Sequence, residues 1–179
     1  MQSKQTDTTP THFIIMGVAG SGKTSIGQRL AAELGTQFID GDDLHPQANI
    51  DKMAKGVPLT DDDRTPWLAA IGQVLRDHEG KLIVGCSALK RRYRDQIRAT
   101  AQRPVTFLYL HGSRDLIADR MSKRERHFMP LTLLDSQFAA LEIPQADEDA
   151  VTVSIDAEPN AIVAALARAI HGKAEPAAD

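Results

Sequence analysis

The segment HFIIMGVAGSGKT, residues 12–24, decides the fold of this chain. The run HFIIM predicts a buried strand, and the pattern GxxxxGK[ST] that follows it predicts a phosphate-binding loop that opens a helix. The glycines of this loop allow positive φ and let backbone N–H groups approach an anion closely. A glycine-rich strand-to-helix turn without a ligand is the alternative. By chance the pattern arises in fewer than about one chain of this length in a hundred, which favours nucleotide binding.

The residue types of the loop match the chemistry of a nucleoside triphosphate. Lys23 can reach the β- and γ-phosphates, and the hydroxyl of Thr24 is placed to bind Mg²⁺. Backbone donors at the start of the helix complete an anion cradle. The predicted nucleotide site therefore contains Gly17, Ala19, Gly20, Ser21, Gly22, Lys23, Thr24 and Ser25.

Size and charge exclude several classes of protein. With 179 residues, of which 42% are hydrophobic, we expect a single domain at 11–172 between a disordered tail at 1–10 and a C-terminal tail at 173–179. The net charge of -3 gives no field that would attract nucleic acid or an anionic membrane. Cys86 is the only cysteine and lies in an apolar run, which predicts a buried residue and no intramolecular disulfide. No apolar run is long enough to span a bilayer, so the cytoplasm is the expected location.

Apolar runs alternate with helical patterns through the rest of the chain. Strands are predicted at 36–40, 82–87, 105–110 and 151–155. Helices are predicted between them, and one of these begins with Thr65 as N-cap and Pro66 as its first helical residue. The alternation predicts the α/β class: a three-layer α/β/α P-loop fold with a five-stranded parallel sheet and a small helical lid at about 120–135.

Two aspartates are candidates for the metal and the catalytic base. The strand at 82–87 does not end in an aspartate, but Asp40 and Asp42 end the preceding strand at alternate positions, which share a face if the segment is extended. Asp40 could hold Mg²⁺ through water, while Asp42 accepts a proton from a hydroxyl nucleophile. The alternative is an Asp/Gly turn with solvated carboxylates. The neighbouring phosphate loop favours the functional interpretation.

Two groups of cationic side chains are candidates for anion binding. Arg64 follows three aspartates at 61–63, which are expected to offset the dipole of the next helix. Arg64 could bind an acid substrate through a bidentate fork or pair with these aspartates, and both interpretations stay open. His45, which precedes a proline, could equally bind substrate or cap its loop.

The second cationic group interrupts a helical pattern. A lid over the γ-phosphate is favoured over a solvated face for this group. It consists of Arg120, Lys123, Arg124, Arg126 and His127.

Four blocks of sequence carry a family resemblance. They are GVAGSGKT, DGDDLHPQANIDKMAKGVPLTDDDRTPWL, CSALKRRYRDQIR and HFMPLTLLDSQFAALEIPQADE. With these blocks the chain resembles gluconokinases, in the P-loop family that also holds shikimate and adenylate kinases, over about residues 12–171. The first block is shared by many nucleotide binders, whereas the second block and the CSALK and SQFxxLE segments are specific to gluconokinases. The resemblance implies transfer of phosphate from ATP, with Mg²⁺, to the 6-hydroxyl of D-gluconate by a homodimer.

The resemblance also implies roles for individual residues. Lys23, Asp42 and Arg124 would be catalytic, and Thr24 and Asp40 would hold the metal. Arg120 and Arg124 resemble the arginines that flank adenine and phosphates, and the loop 156–159, which ends in Pro159, is similar to the loop that closes over adenine. The implied substrate site consists of Asp42, His45, Arg64, Ser87, Lys90, Arg94 and His127. One departure is Arg126, where many gluconokinases have glycine before the His-Phe pair.

Two other functions compete with this one. The same scaffold could phosphorylate another small hydroxy acid such as shikimate, although the DLHP and LTDDDR segments favour gluconate. The chain could also be a non-catalytic nucleotide-binding module. The presence of Lys23, Thr24, Asp40 and Asp42 argues against the second alternative, because a binder need not keep a proton acceptor.

Overall fold

Strands and helices alternate through the structure, a computed structural model that describes residues 10–123 and 131–174. The strands are β1 (His12–Met16), β2 (Gln37–Asp40), β3 (Leu82–Gly85), β4 (Val105–His111) and β5 (Ala150–Ser154). The helices are α1 (Lys23–Glu33), α2 (Gln47–Ala54), α3 (Asp61–Asp77), α4 (Arg91–Ala101), α5 (Arg114–Ser122), α6 (Leu131–Ala140) and α7 (Pro159–Ala174). Residues 124–130 of the predicted lid, and the tail residues 1–9 and 175–179, lie outside the described part.

All five strands pair in parallel, in the order β2-β3-β1-β4-β5. The central strand β1 aligns Ile14 with Val84 of β3 and with Phe107 of β4. The phosphate loop therefore leaves the middle of the sheet, and Asp40 ends β2 at the same edge with β3 between them. In an open α/β sheet this carboxyl edge is where ligands bind. The predicted fold class is confirmed.

The alternation of side chains along β1 divides the core into two layers. Phe13 and Ile15 pack with apolar residues of α1 and α7, while Ile14 and Met16 pack with those of α3 and α4. All four side chains are fully buried. Burying both faces of a strand requires a continuous apolar run, which explains why HFIIM has no polar residue after its first position. Among the described helices, none is long and apolar enough to cross a membrane.

Helix α3 begins earlier than predicted, because a capping box fixes its start. The Thr60 hydroxyl accepts from the Asp63 N–H at 3.2 Å, and the Asp63 carboxylate accepts from the Thr60 N–H at 2.8 Å. This reciprocal pair satisfies two backbone donors at the start of the helix. The predicted N-cap at Thr65 is therefore wrong, and Pro66 lies inside the helix. The aspartates at 61–63 lie in the first turn, where their charge offsets the helix dipole as expected.

A buried ion pair joins α4 to the loop that precedes β5. The Arg94 guanidinium donates to Glu148 at 2.6 and 2.8 Å, and to the carbonyl oxygens of Ala88 and Leu89 at 3.0 and 3.3 Å. The Arg94 side chain is fully buried. Because its donors are engaged and solvent does not reach it, we reassign Arg94 from the predicted substrate site to the core.

Glu148→Gln is expected to lower the free energy of unfolding by about 3–5 kcal/mol, because it leaves a buried guanidinium without its counter-charge. The Arg94 hydrogen bonds lower the pKa of Glu148 from 4.5 to about 2. A carboxylate whose pKa falls on folding stabilises the protein above its unfolded pKa and loses that effect as the pH drops towards its folded pKa. In urea denaturation, the difference between wild type and variant should therefore shrink as the pH falls from 4.5 to about 2.

Asp147→Asn is the matched control for this variant. Asp147 pairs with Arg91 at 2.7 Å, but both side chains are exposed. An exposed pair contributes little to stability, because water and salt screen its charges. If both substitutions lowered the free energy of unfolding equally, the larger effect expected for the buried pair would be contradicted.

Candidate active site

The phosphate loop owes its shape to its glycines. Gly17, Gly20 and Gly22 all have positive φ, at 153°, 81° and 95°. A Cβ on Gly20 would lie 2.7 Å from Cγ of Met121, and one on Gly17 would lie 2.7 Å from Oγ of the buried Ser21. Residues with side chains would therefore be both strained and crowded at these positions. The positive φ predicted for the three glycines is confirmed.

Lys23 folds back onto its own loop. Its Nζ donates to the carbonyl oxygens of Gly17 at 3.1 Å and of Val18 at 3.2 Å. Burial of the ammonium group lowers the pKa of Lys23, and the nearby carboxylates of Asp42 and Asp40 partly offset that effect. The loop thus holds a poorly solvated positive charge at the position where a phosphate would bind.

Thr24 and Asp40 meet at the carboxyl edge of the sheet. The Thr24 hydroxyl donates to Oδ2 of Asp40 at 3.1 Å, and Oδ1 of Asp40 accepts from the Asp42 N–H at 3.1 Å. The second bond caps the short 3-10 turn Gly41–Leu44. Within residues 10–123 and 131–174 there is no cluster of three acidic, histidine or cysteine side chains that could hold a metal alone. A hydroxyl and a carboxylate do suit Mg²⁺, which takes oxygen ligands and keeps several waters and phosphate oxygens.

A cavity of about 450 Å³ brings the loop and the two aspartates together. The pKa of Asp42 is raised, mainly because the cavity partly shields its carboxylate from water and, to a smaller extent, because of the negative charge of Asp40. The side chain of Asp42 is still open to solvent on one side. Cys86 also faces the cavity, and burial raises the pKa of its thiol to about 12, as expected of a structural cysteine. The lining residues are Ala19, Gly20, Gly22, Lys23, Thr24, Ser25, Gln28, Asp40, Asp42, Gly85 and Cys86.

An aromatic pair borders the aspartates. The ring of His45 stacks on Trp67 with 4.2 Å between centroids, and Trp67 Nε1 donates to the carbonyl of Gly41 at 2.7 Å. Asn49 lies 3.3 Å from Nδ1 of His45. Burial lowers the pKa of His45, which the charge of Asp42 partly offsets. The imidazole is thereby held in a fixed orientation beside the proposed base.

A polar cluster on α3 and α4 contains two predicted substrate residues. Arg64 lies 4.0 Å from Asp61 and donates to the carbonyl of Leu59 at 2.7 Å. Lys90 lies 3.5 Å from the same carboxylate, and the hydroxyl of Tyr93 also contacts it. Arg64 and Lys90 both keep about 30% of their side-chain surface exposed (31% and 29%). Pairing with aspartate and binding a substrate anion are therefore compatible for Arg64. Ser87 is half-buried in the loop after β3.

Two of the elements predicted to bind adenine contact each other. Arg120, on α5, donates to the carbonyl of Ile155 at 2.6 Å. Ile155 opens the loop that leads to Pro159, the first residue of α7. The arginine and the loop predicted to flank adenine are thus adjacent. Arg124 and His127 lie outside the described residues.

One contact of the phosphate loop is not predicted by any sequence pattern. The N–H of Ala19 donates to Oε1 of Gln137, on α6, at 2.7 Å. A single glutamine on an amphipathic helix carries no signal of its own. Only its position in the SQFxxLE segment of the family resemblance could have drawn attention to it.

Comparisons with known proteins indicate the family of this chain. Residues 13–144 match the family model described as "AAA domain". The thermosensitive gluconokinase of Escherichia coli K12 is 52% identical over 149 residues, which cover 80% of this chain and 79% of that protein. The gluconokinase of Gluconobacter oxydans is 44% identical over 169 residues, which cover 93% of each chain.

Solved structures also align with this chain. A gluconokinase from Sinorhizobium meliloti aligns with a TM-score of 0.82 and 46% identity, covering 92% of this chain and 95% of the other. A shikimate kinase from Aquifex aeolicus aligns with a TM-score of 0.62 at 15% identity, over 91% of this chain and 98% of the other, which shows a shared fold alone.

Proposed function

The chain belongs to the gluconokinase family, and from this membership we infer that it catalyses the ATP-dependent phosphorylation of D-gluconate to 6-phospho-D-gluconate. The observation that carries the inference is the cavity in which Lys23, Thr24, Asp40 and Asp42 meet. A kinase needs a phosphate cradle, oxygen ligands for a metal and an acceptor for the hydroxyl proton in one place. A nucleotide-binding module would need only the first of these.

On the nucleotide side, the loop N–H groups and Lys23 bind the β- and γ-phosphates of ATP. Thr24 and Asp40 hold Mg²⁺, which when bound neutralises charge on the phosphate oxygens. The 3.1 Å contact between these two side chains supports this assignment. Arg120 and the loop ending at Pro159 flank the adenine, and the family resemblance assigns Arg124 to the phosphates.

On the acceptor side, Asp42 accepts the proton of the gluconate 6-hydroxyl as its oxygen attacks the γ-phosphorus. ADP leaves as the bond to the β-γ bridging oxygen breaks. The aromatic pair of His45 and Trp67 borders the acceptor. Arg64 and Lys90 bind the sugar-acid carboxylate together with Ser87, and the family resemblance adds His127 to the substrate residues. One guanidinium and one ammonium group that both lie within 4.0 Å of the same carboxylate, Asp61, suit an acid substrate better than a neutral sugar.

The homodimer that the resemblance implies, and the cytoplasmic location expected from the absence of a long apolar run, are part of the same proposal. Light scattering on the purified protein measures the oligomeric state. Fractionation of cells that express the chain measures its location.

A coupled assay of ADP release tests the proposed reaction. We expect turnover with ATP, Mg²⁺ and D-gluconate, and background rates with shikimate or without an acceptor. Turnover with shikimate but not gluconate would favour the other hydroxy-acid kinase. Nucleotide binding without turnover on either acid would favour the non-catalytic module.

A further inference from the structure

A glutamine on α6 holds one peptide unit of the phosphate loop. The N–H of Ala19 donates to Gln137 at 2.7 Å, although the two residues are 118 positions apart. Because a backbone N–H can only donate, the atom that faces it must be the acceptor Oε1 and not the amide nitrogen. No step of the proposed reaction uses this side chain.

The same peptide unit also contacts Lys23. The peptide that carries the Ala19 N–H carries the Val18 carbonyl, which accepts from Nζ of Lys23 at 3.2 Å. In a trans peptide the N–H and the C=O point in opposite directions. Gln137 and Lys23 therefore hold this peptide plane from its two sides. The Ser21 N–H also donates to this carbonyl, at 3.2 Å. Rotation of the plane would turn the Val18 carbonyl away from Lys23 and would break the contact between Ala19 and Gln137.

Helix packing delivers Gln137 to this position. Leu134, one turn earlier on α6, is fully buried in the core. Asp135 pairs with Arg114 of α5 at 2.5 Å, and Phe138 packs against the same core. Anchors on both sides of Gln137 fix the helix, so the contact with the loop follows from the fold.

We propose that Gln137 is a positioning residue for Lys23, acting through the Val18–Ala19 peptide. By helping to fix that plane, Gln137 keeps the Val18 carbonyl on the half-buried ammonium group of Lys23. An ammonium group in such surroundings depends on its protein partners, since losing one leaves a donor unpaired. The inference rests on the proposed function, in which Lys23 binds the phosphates of ATP.

A double-mutant cycle tests whether Gln137 acts through Lys23. Gln137→Leu keeps the side-chain volume and removes the acceptor. Calorimetric binding of a non-hydrolysable ATP analogue with Mg²⁺ should weaken about three- to tenfold, the size of one hydrogen bond. In the Lys23→Met background the same substitution should change binding less than about twofold, because the group it positions is gone. The kcat of Gln137→Leu should also fall by about three- to tenfold.

Ser136→Ala is the control, because it removes a hydroxyl from the same helix turn that bonds only within the helix, to the carbonyl of Leu133. It should match wild type in binding and turnover. An equal effect of Gln137→Leu in both backgrounds would show that Gln137 does not act through Lys23, and no effect in either would make it a bystander. Tighter binding would mean that the glutamine blocks the loop. Each of these three results overturns the proposal. The binding experiment contains no gluconate. Its outcome can therefore be distinguished from a failure of the proposed function, which would appear as a wild-type enzyme that does not phosphorylate gluconate.

Discussion

Lys23→Met is expected to lower gluconate-dependent ADP release by at least about a thousandfold, because it removes the ammonium group that stabilises negative charge on the transferred phosphoryl group. The fold should stay intact, since methionine keeps the length of the side chain and removes a charge whose burial is costly. The pKa of Lys23 is lowered by that burial. The free energy of unfolding should therefore stay equal to that of wild type or rise.

Steady-state kinetics and urea denaturation measure these two outcomes. Lys81→Met is the matched control, because Lys81 is exposed just before β3, at the opposite end of that strand from the cavity. It should leave both turnover and stability unchanged. Turnover near that of wild type in Lys23→Met would contradict the assignment of the phosphate loop.

Asp42→Asn is expected to reduce kcat by about a hundredfold to ten-thousandfold with ATP affinity nearly preserved. The substitution keeps the shape and one acceptor oxygen but removes the base. If the transition state is loose, deprotonation is less advanced and the loss falls at the low end of this range. Burial and Asp40 raise the pKa of Asp42, so in wild type kcat/KM should increase as the pH rises through that elevated pKa. This acid limb should disappear in the variant.

Two companion variants separate the roles of the neighbouring carboxylates. Asp43→Asn removes an exposed charge one position away and should retain wild-type kcat. Asp40→Asn should chiefly raise the Mg²⁺ concentration needed for half-maximal rate, because Asp40 contacts Thr24. An Asp42→Asn enzyme with wild-type kcat at all Mg²⁺ concentrations would show that another group is the base.

The fold and the phosphate loop could be predicted because their signals are local. A contiguous run of residues sets the loop geometry, and apolar periodicity sets each strand and helix. The start of α3 was mispredicted because two threonines, Thr60 and Thr65, each carry a start signal. The hydrogen bonds to Asp63 decide between them, and only the folded chain shows those bonds.

Long-range partners could not be predicted. Arg94 and Gln137 each find their partner through packing: Glu148 is 54 positions from Arg94, and Ala19 is 118 positions from Gln137. A basic helix next to a site predicted to bind an acid substrate indicates that some of its arginines could bind that substrate. The sequence does not reveal which of these arginines faces the core instead. The hydrogen-bonding capacity of a residue is local information, whereas its partner is a property of the whole fold.

Trp67 is the only tryptophan of the chain, and it stacks on His45 beside the aspartates. An indole ring emits light with an intensity and wavelength set by the groups within a few ångströms of it. A molecule that turns the imidazole or moves the Gly41 carbonyl changes those surroundings, whereas one confined to the phosphate loop leaves them as they are. The protein thus carries an unlabelled optical reporter on one side of its cavity, and fluorescence can distinguish occupation of that side from occupation of the other.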